Sequence, residues 1–259
     1  MTFVDKMRRG QVCLGTIITF NDPAVTEALA PALDFVWIDT EHNAFTLEIV
    51  QSHLMATKGS DCTPIVRVAW NDPALIKTVL DIGAAGVIVP FVKTVDDVRK
   101  AVAACRYPPE GMRGFGPRRP RNYGRLDAAE YCVAANEAMI TIVQIEQIEA
   151  VNNLDEILAV PGLTGIVTGP FDLAGSMGHP GNPGHPEVQA ALTTVIEKAR
   201  RAGKFGGVSV GDQPDLLAEW ANKGAQWLAM GVDYSFLVHS VEATAQAVRQ
   251  RLGAPKKTS

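Results

Sequence analysis

Absences narrow the field first. The 259-residue chain has four cysteines, Cys13, Cys62, Cys105 and Cys132, scattered without a C-x-x-C pair. Reduced thiols in a bacterial-type cytoplasm are the plain expectation. No apolar run approaches the roughly 18 residues of a membrane-spanning helix, and the first residues lack a signal-peptide core. Charge of one sign is also missing: 24 Lys and Arg face 28 Asp and Glu, a net charge of −4, mixed along the chain. Backbone binding to nucleic acid or to an acidic membrane needs clustered Lys and Arg, so neither is an expected partner.

What is present is an apolar fraction of 47%, enough for a sizeable core in one large domain or two small ones. Short β-branched runs alternate with longer helical stretches. The runs begin at Val12, Phe35, Pro64, Gly86, Met139, Gly165, Phe205 and Trp227. Between them, PALIKTVLDIG puts Leu75, Val79 and Ile82 on one stripe, and VDDVRKAVAACRY does so with Val95, Val98, Val102 and Cys105. Asn-Asp-Pro opens two helices, with Asp22 and Asp72 as N-caps and Pro23 and Pro73 at the first helical position. Gly83, Gly203 and Gly224 stand where helices should stop before a strand. Eight such units in about 250 residues fit an α/β chain of the (β/α)₈ TIM-barrel type, one domain over residues 1–259. A doubly wound sheet fits less well, because no Gly-rich first turn is present. Pro108 to Gly124 reads as a long Pro/Gly/Arg-rich insertion and residues 254–259 as a disordered tail. The last helix, YSFLVHSVEATAQAVRQRL, is longer than barrel closure needs and is expected to dock on another subunit.

In a barrel, chemistry belongs at the C-terminal ends of the strands. Those ends carry Asp39, Glu41 and His42 after the second run, and Arg67 in the third. Gln144 and Glu146 follow in the fifth, Asp172 after the sixth, and Asp233 after the eighth. In ITIVQIE, period-2 alternation puts Ile142, Gln144 and Glu146 on one face and Val143 and Ile145 on the other. An inward Gln and Glu need partners. A structural ion pair or a cap would satisfy Glu146, and an N-cap would explain Asp172. Two inward carboxylates on neighbouring strands without a nearby Lys instead suit an oxygen-ligated divalent cation such as Mg²⁺ or Mn²⁺. Other stretches are weaker. Gly111, Gly114 and Gly116 follow a helix and so do not make a dinucleotide loop. His179 and His185, in GHPGNPGHP, read as loop residues rather than a zinc site, and His53 and His239 as ordinary helix residues. Lys93, placed at the end of the fourth strand, offers a Schiff-base alternative, but nothing nearby would lower its pKa.

The ordered set "WIDTEH", "VRV", "ALIKTVLDIGAAGVIVPFV", "CRYPPEGMRGFG", "VQIE", "GPFDLAGSMGHPG" and "MGVD", spanning Gly15 to Asp233, resembles the HpcH/HpaI family of metal-dependent pyruvate aldolases. The resemblance implies a divalent metal (Mg²⁺, Mn²⁺ or Co²⁺) with no organic cofactor, and a homo-oligomer, a hexamer, with the last helix exchanged between subunits. By motif, Glu146 and Asp172 would hold the metal. Gln144 and the backbone around Phe171 and Asp172 would contact pyruvate. His42 would be the base, Arg67 would stabilise the enolate, and Asp81 would raise the basicity of His42, with Asp39 and Glu41 in support. The implied reaction is reversible retro-aldol cleavage of a 4-hydroxy-2-oxo acid to pyruvate and an aldehyde. An acyl-CoA lyase of the malyl-CoA or citramalyl-CoA type is the nearest alternative, and a catalytically silent assembly module is the rival from another class.

Two features stand apart from the family pattern. Many relatives have alanine where this chain has Phe171, which implies a narrower or more apolar pocket beside the metal. The loop PRRPRNYG, with Arg118, Arg119 and Arg121, is expected to make subunit contacts more than to recruit an anion. Asp81 strains the barrel model, because the end of its helix falls at the face opposite His42. The expectation is that it reaches the His42 of a neighbouring subunit.

Overall fold

The computed structural model describes residues 1–253; the expected disordered tail lies outside the described residues. In chain order the elements are α1 (Phe3–Arg8), β1 (Cys13–Ile18), α2 (Pro23–Leu29), β2 (Phe35–Asp39), α3 (Leu47–Ala56), β3 (Thr63–Arg67) and α4 (Pro73–Asp81). They continue with β4 (Gly86–Val89), α5 (Val95–Cys105), α6 (Ala128–Ala138), β5 (Ile140–Ile145), α7 (Ile148–Asn152), α8 (Leu154–Leu158) and β6 (Gly165–Thr168). The chain ends in α9 (Pro170–Ser176), α10 (Pro186–Arg201), β7 (Phe205–Ser209), α11 (Pro214–Asn222), β8 (Trp227–Val232) and α12 (Asp233–Arg251). The strands pair in sequence order, all parallel, and β8 closes on β1. The barrel expectation holds.

Burial splits by strand face, as period-2 alternation requires. Trp37, Ile65, Ile88, Ile142, Val167 and Trp227 fill the barrel interior, while Val36, Val66, Val87, Val143 and Ile166 pack outward against the helices. The floor is sealed from below. Phe3 of α1 meets Phe35 edge-on at 5.3 Å and Trp227 at 5.9 Å. Trp227 has room because Gly207 lies opposite it; a Cβ there would stand 2.0 Å from the indole. Truncating such a buried aromatic to alanine costs about 3–5 kcal/mol.

The helix starts follow the local chemistry. Asp22 and Asp72 accept from the N–H groups of Ala24 and Ala74, each ahead of a proline at the first turn. In α5 the predicted stripe is buried at Val98, Val102 and Cys105. In α4 the stripe is rotated: Ile76, Val79 and Leu80 are buried, whereas Leu75 is exposed. Both sets obey 3–4 spacing, and only the barrel surface beneath α4 chooses between them. β4 ends at Val89, so Lys93 lies beyond the strand rather than at its end. Among the described residues no helix is long and apolar enough to cross a membrane.

Candidate active site

At the C-terminal end of the barrel, register alone brings two of the predicted residues together: Asp39 and Arg67 are Cα partners across β2 and β3. Arg67 donates through Nε and Nη2 to the two oxygens of Asp39, each at 2.8 Å, a bidentate fork that fixes the guanidinium plane. Its Nη1 lies 3.0 Å from Glu41 Oε2 and donates to Gln144 Oε1 at 3.4 Å. The guanidinium also sits over the Trp37 ring, 5.0 Å from its centroid. Asp39 is held from its own loop as well, by the Glu41 N–H at 3.1 Å and by Asn43 Nδ2 at 3.0 Å.

Gln144 and Glu146 point inward, as the alternation predicted, and both are buried. Gln144 Nε2 donates to Glu146 Oε2. The other carboxylate oxygen of Glu146 accepts the Phe91 N–H at 2.7 Å. Phe91 holds this position with φ 54°, a left-handed conformation uncommon outside glycine. Asp172 follows in the first turn of α9, exposed on the cavity wall behind Gly169 and Pro170.

Burial pushes Glu146 up to about 7, against the lowering hydrogen bonds from Phe91 and Gln144, and the charges of Asp172 and Glu41 push the same way. Glu41 is also raised to about 7, first by burial; Arg67 opposes the shift, while Asp39 and Asp172 add to it. Arg67 answers Asp39 and Glu41, whereas Glu146 has only neutral donors beside it, so the Glu146 side of the site has room for a positive charge. The donor set fits a divalent cation: Glu146 and Asp172 are hard oxygen donors. Gly169 preserves the space beside them, since a Cβ at that position would lie 2.7 Å from Glu146 Oε2 and 3.0 Å from Gln144 Nε2.

A cavity of about 860 Å³ opens over this group, and His42, Arg67, Gln144, Phe171 and Asp172 line it. The His42 ring faces solvent, with Nε2 3.7 Å from Glu41 Oε2. Thr168 also lines the cavity, and its buried hydroxyl has no hydrogen-bond partner. Sequence reasoning missed Phe91, Gly169 and Asn43. Asn43 follows the acidic run directly and could have been read as a partner for it; the roles of Phe91 and Gly169 exist only once the chain is folded.

Other candidates fall elsewhere. Asp81 ends α4 at the opposite face, where it accepts from Arg113 Nη2 at 2.8 Å. Lys93 pairs with Glu149 at 3.1 Å. Arg119 donates to the Leu54 carbonyl and Arg121 to that of Leu126, while the Arg118 carbonyl accepts the Tyr123 N–H. His53 is fully buried, stacked on Phe45 and bonded to Thr26, and His239 of α12 pairs with Asp212 at 2.7 Å. His179 and His185, expected as loop residues, converge with Glu187, in the first turn of α10, with one ligand atom from each within 4.8 Å of the others.

Many known proteins are similar to this chain. The family described as HpcH/HpaI aldolase/citrate lyase matches residues 18–240. A 4-hydroxy-2-oxo-heptane-1,7-dioate aldolase from Salmonella paratyphi B is 40% identical, over 99% of this chain and 96% of its own. Among solved structures, an HpcH/HpaI aldolase/citrate lyase family protein from Burkholderia cenocepacia J2315 superposes with a TM-score of 0.90 at 31% identity, covering 95% of this chain and 98% of that one. An HpcH/HpaI aldolase from Desulfitobacterium hafniense DCB-2 gives a TM-score of 0.88 at 28% identity, with 100% of both chains covered.

Proposed function

Because this chain belongs to the HpcH/HpaI aldolase/citrate lyase family, we propose that it is a divalent-metal-dependent pyruvate aldolase, reversibly cleaving a 4-hydroxy-2-oxo acid to pyruvate and an aldehyde. The carrying observation is the convergence of Arg67, Gln144 and Asp172 with His42 on one cavity, with the buried Glu146 bonded to Gln144 just behind its wall.

Glu146 and Asp172 would hold Mg²⁺, Mn²⁺ or Co²⁺, which when bound polarises the keto group of the substrate and so favours enolate chemistry. Gln144 and the backbone of Phe171 and Asp172 would orient the 2-oxo acid. Arg67 is locked by Asp39, so its positive charge waits, without reorganisation, beside the oxygen on which charge develops. His42, with a solvent-facing ring, is placed to take the C4 hydroxyl proton in cleavage and return it in addition. Glu41 Oε2 lies 3.7 Å from His42 Nε2 and 3.0 Å from Arg67 Nη1, where its carboxylate would support both.

Two parts of this reading involve other subunits. Asp81 would act on the His42 of a neighbouring copy, since within its own chain it is committed to Arg113. A hexamer with α12 exchanged between copies is supported by the exposed apolar stripe Tyr234, Leu237, Val241 and Val248 on that helix. All four cysteines are free thiols, which supports a cytoplasmic setting.

The test is pyruvate release from 4-hydroxy-2-oxo acids in a coupled dehydrogenase assay, with and without EDTA. Release that stops on chelation and returns with Mg²⁺, Mn²⁺ or Co²⁺ is expected. Chelation-resistant turnover, trapped by borohydride in the presence of pyruvate, would contradict the reading and point to a lysine Schiff base.

A further inference from the structure

The cavity is larger than pyruvate requires; about 860 Å³ falls in the range, roughly 300–1,000 Å³, that holds a drug-sized ligand. It runs from Arg67 and Gln144 across β6 to the ends of β7 and β8. At that far end the walls are Val210 after β7, Leu216 and Trp220 of α11, and Val232 closing β8. Only the neutral Ser209 and Gln189 add polar side chains there.

Positive charge is missing from this half. Of the described residues that line the cavity, Arg67 is the only lysine or arginine, and Asp39 and Glu41 already engage it. The loops after strands seven and eight are where barrels frequently bind phosphate through backbone N–H groups. Here the chain's own carboxylates occupy that region. Asp233 accepts the N–H groups of Thr19, Phe20 and Tyr234, together with the Thr19 hydroxyl. Asp212, next to the cavity-lining Gly211, is paired with His239. Neither carboxylate lines the cavity, but Asp233 already takes the donors of its own turn. An incoming anion would find no lysine or unengaged arginine among the described residues of the wall, and it would shed its water against Leu216 and Trp220.

We propose that the acceptor half of this cavity takes an aldehyde with an uncharged, apolar substituent, aliphatic or aromatic, and rejects one bearing a carboxylate. The proposal rests on the pyruvate aldolase reading. In cleavage the C3–C4 bond breaks, its electron pair stays on C3 as the enolate, the C4 hydroxyl proton passes to the base, and C4 leaves as the neutral aldehyde. Protonation of C3 then gives pyruvate, so no oxidant or reductant enters. Only the substituent on C4 reaches the apolar walls.

The experiment compares kcat/KM for pyruvate release from 4-hydroxy-2-oxoheptanoate and from 4-hydroxy-2-oxoheptane-1,7-dioate, which differ only in the terminal carboxylate, with Mn²⁺ present. A preference of about 30-fold or more for the monoacid is expected, within the roughly 10–200-fold by which an apolar pocket discriminates close analogues. Leu216→Lys and, separately, Val210→Arg should narrow that ratio at least about tenfold by supplying the missing cation. An equal or greater rate on the dioate would overturn the proposal. An unchanged ratio in a folded lysine or arginine variant would overturn it as well. Exchange of the pyruvate methyl protons in D₂O, followed by NMR, separates the two readings. Exchange together with a dioate preference sinks only the substrate class, whereas no exchange and no cleavage of either acid sinks the aldolase reading with it.

Discussion

His42 and Glu41 are sequence neighbours with opposite surroundings. His42 faces solvent, so its removal should leave the fold intact. His42→Ala is expected to lower kcat for cleavage by about 10²–10⁴-fold, while pyruvate still binds the metal-loaded protein; full turnover in the variant would remove it as the base. Glu41 is raised to about 7 from 4.5, chiefly by burial. A carboxyl whose folded value exceeds its unfolded one binds more protons in the folded state, so stability falls as pH rises from about 4.5 to about 7. The groups facing it are Arg67, His42, Asp39 and Asp172, and Glu146 shifts in the same direction. In EDTA, Glu41→Gln should therefore remove a loss of stability on the order of 2 kcal/mol between pH 5.5 and 8. Melting curves at the two pH values check this, and a variant that declines as steeply as the parent would contradict it.

Elements explain which of these residues the sequence could disclose. Alternation along β5 aims Gln144 and Glu146 inward and was legible from strand pattern alone. The pairing of Asp39 with Arg67, rather than with His42 as expected, follows instead from the β2–β3 register that only the folded sheet sets. Loops hide their roles. Phe91 contributes a backbone N–H, which no side-chain pattern reports, and the stripe of α4 was ambiguous between two helical faces. The convergence of His179 with Glu187 depends on glycine-bearing turns at Gly178 and Gly181, whose positive φ values fold the loop back. Gly169, in the β6–α9 turn, is the position at which backbone shape most directly limits chemistry. Gly169→Ala should weaken divalent-cation binding by about 10–100-fold, as for other residues that orient metal ligands, with little change in the secondary structure. Calorimetric titration with Mn²⁺ would show it, and parent-like affinity would argue against a cradle at that turn.

At the scale of the whole molecule, α12 leaves a stripe of apolar side chains uncovered, with Leu237 57% and Val241 59% exposed. On the proposed assembly, a double substitution, Leu237→Glu with Val241→Glu, should lower the mass seen in light scattering to that of a single chain. If the mass is unchanged, α12 is not the exchanged element. Asp81 belongs to the same question, since barrel geometry puts it and His42 at opposite ends of one chain, and only assembly can join them.

The aromatic plug under the barrel, Phe3 against Phe35 and Trp227, also bears on traffic. With the floor closed, neither cleavage product can leave through the bottom of the barrel, and both must pass the mouth at the C-terminal ends of the strands. Pyruvate, which the proposed site would hold at the Glu146 and Arg67 end, is expected to exit last, after the aldehyde has cleared the mouth. Product-inhibition kinetics would then show pyruvate competing with the hydroxy-oxo acid for the empty enzyme and the aldehyde acting noncompetitively; the reverse pattern would require a second way out.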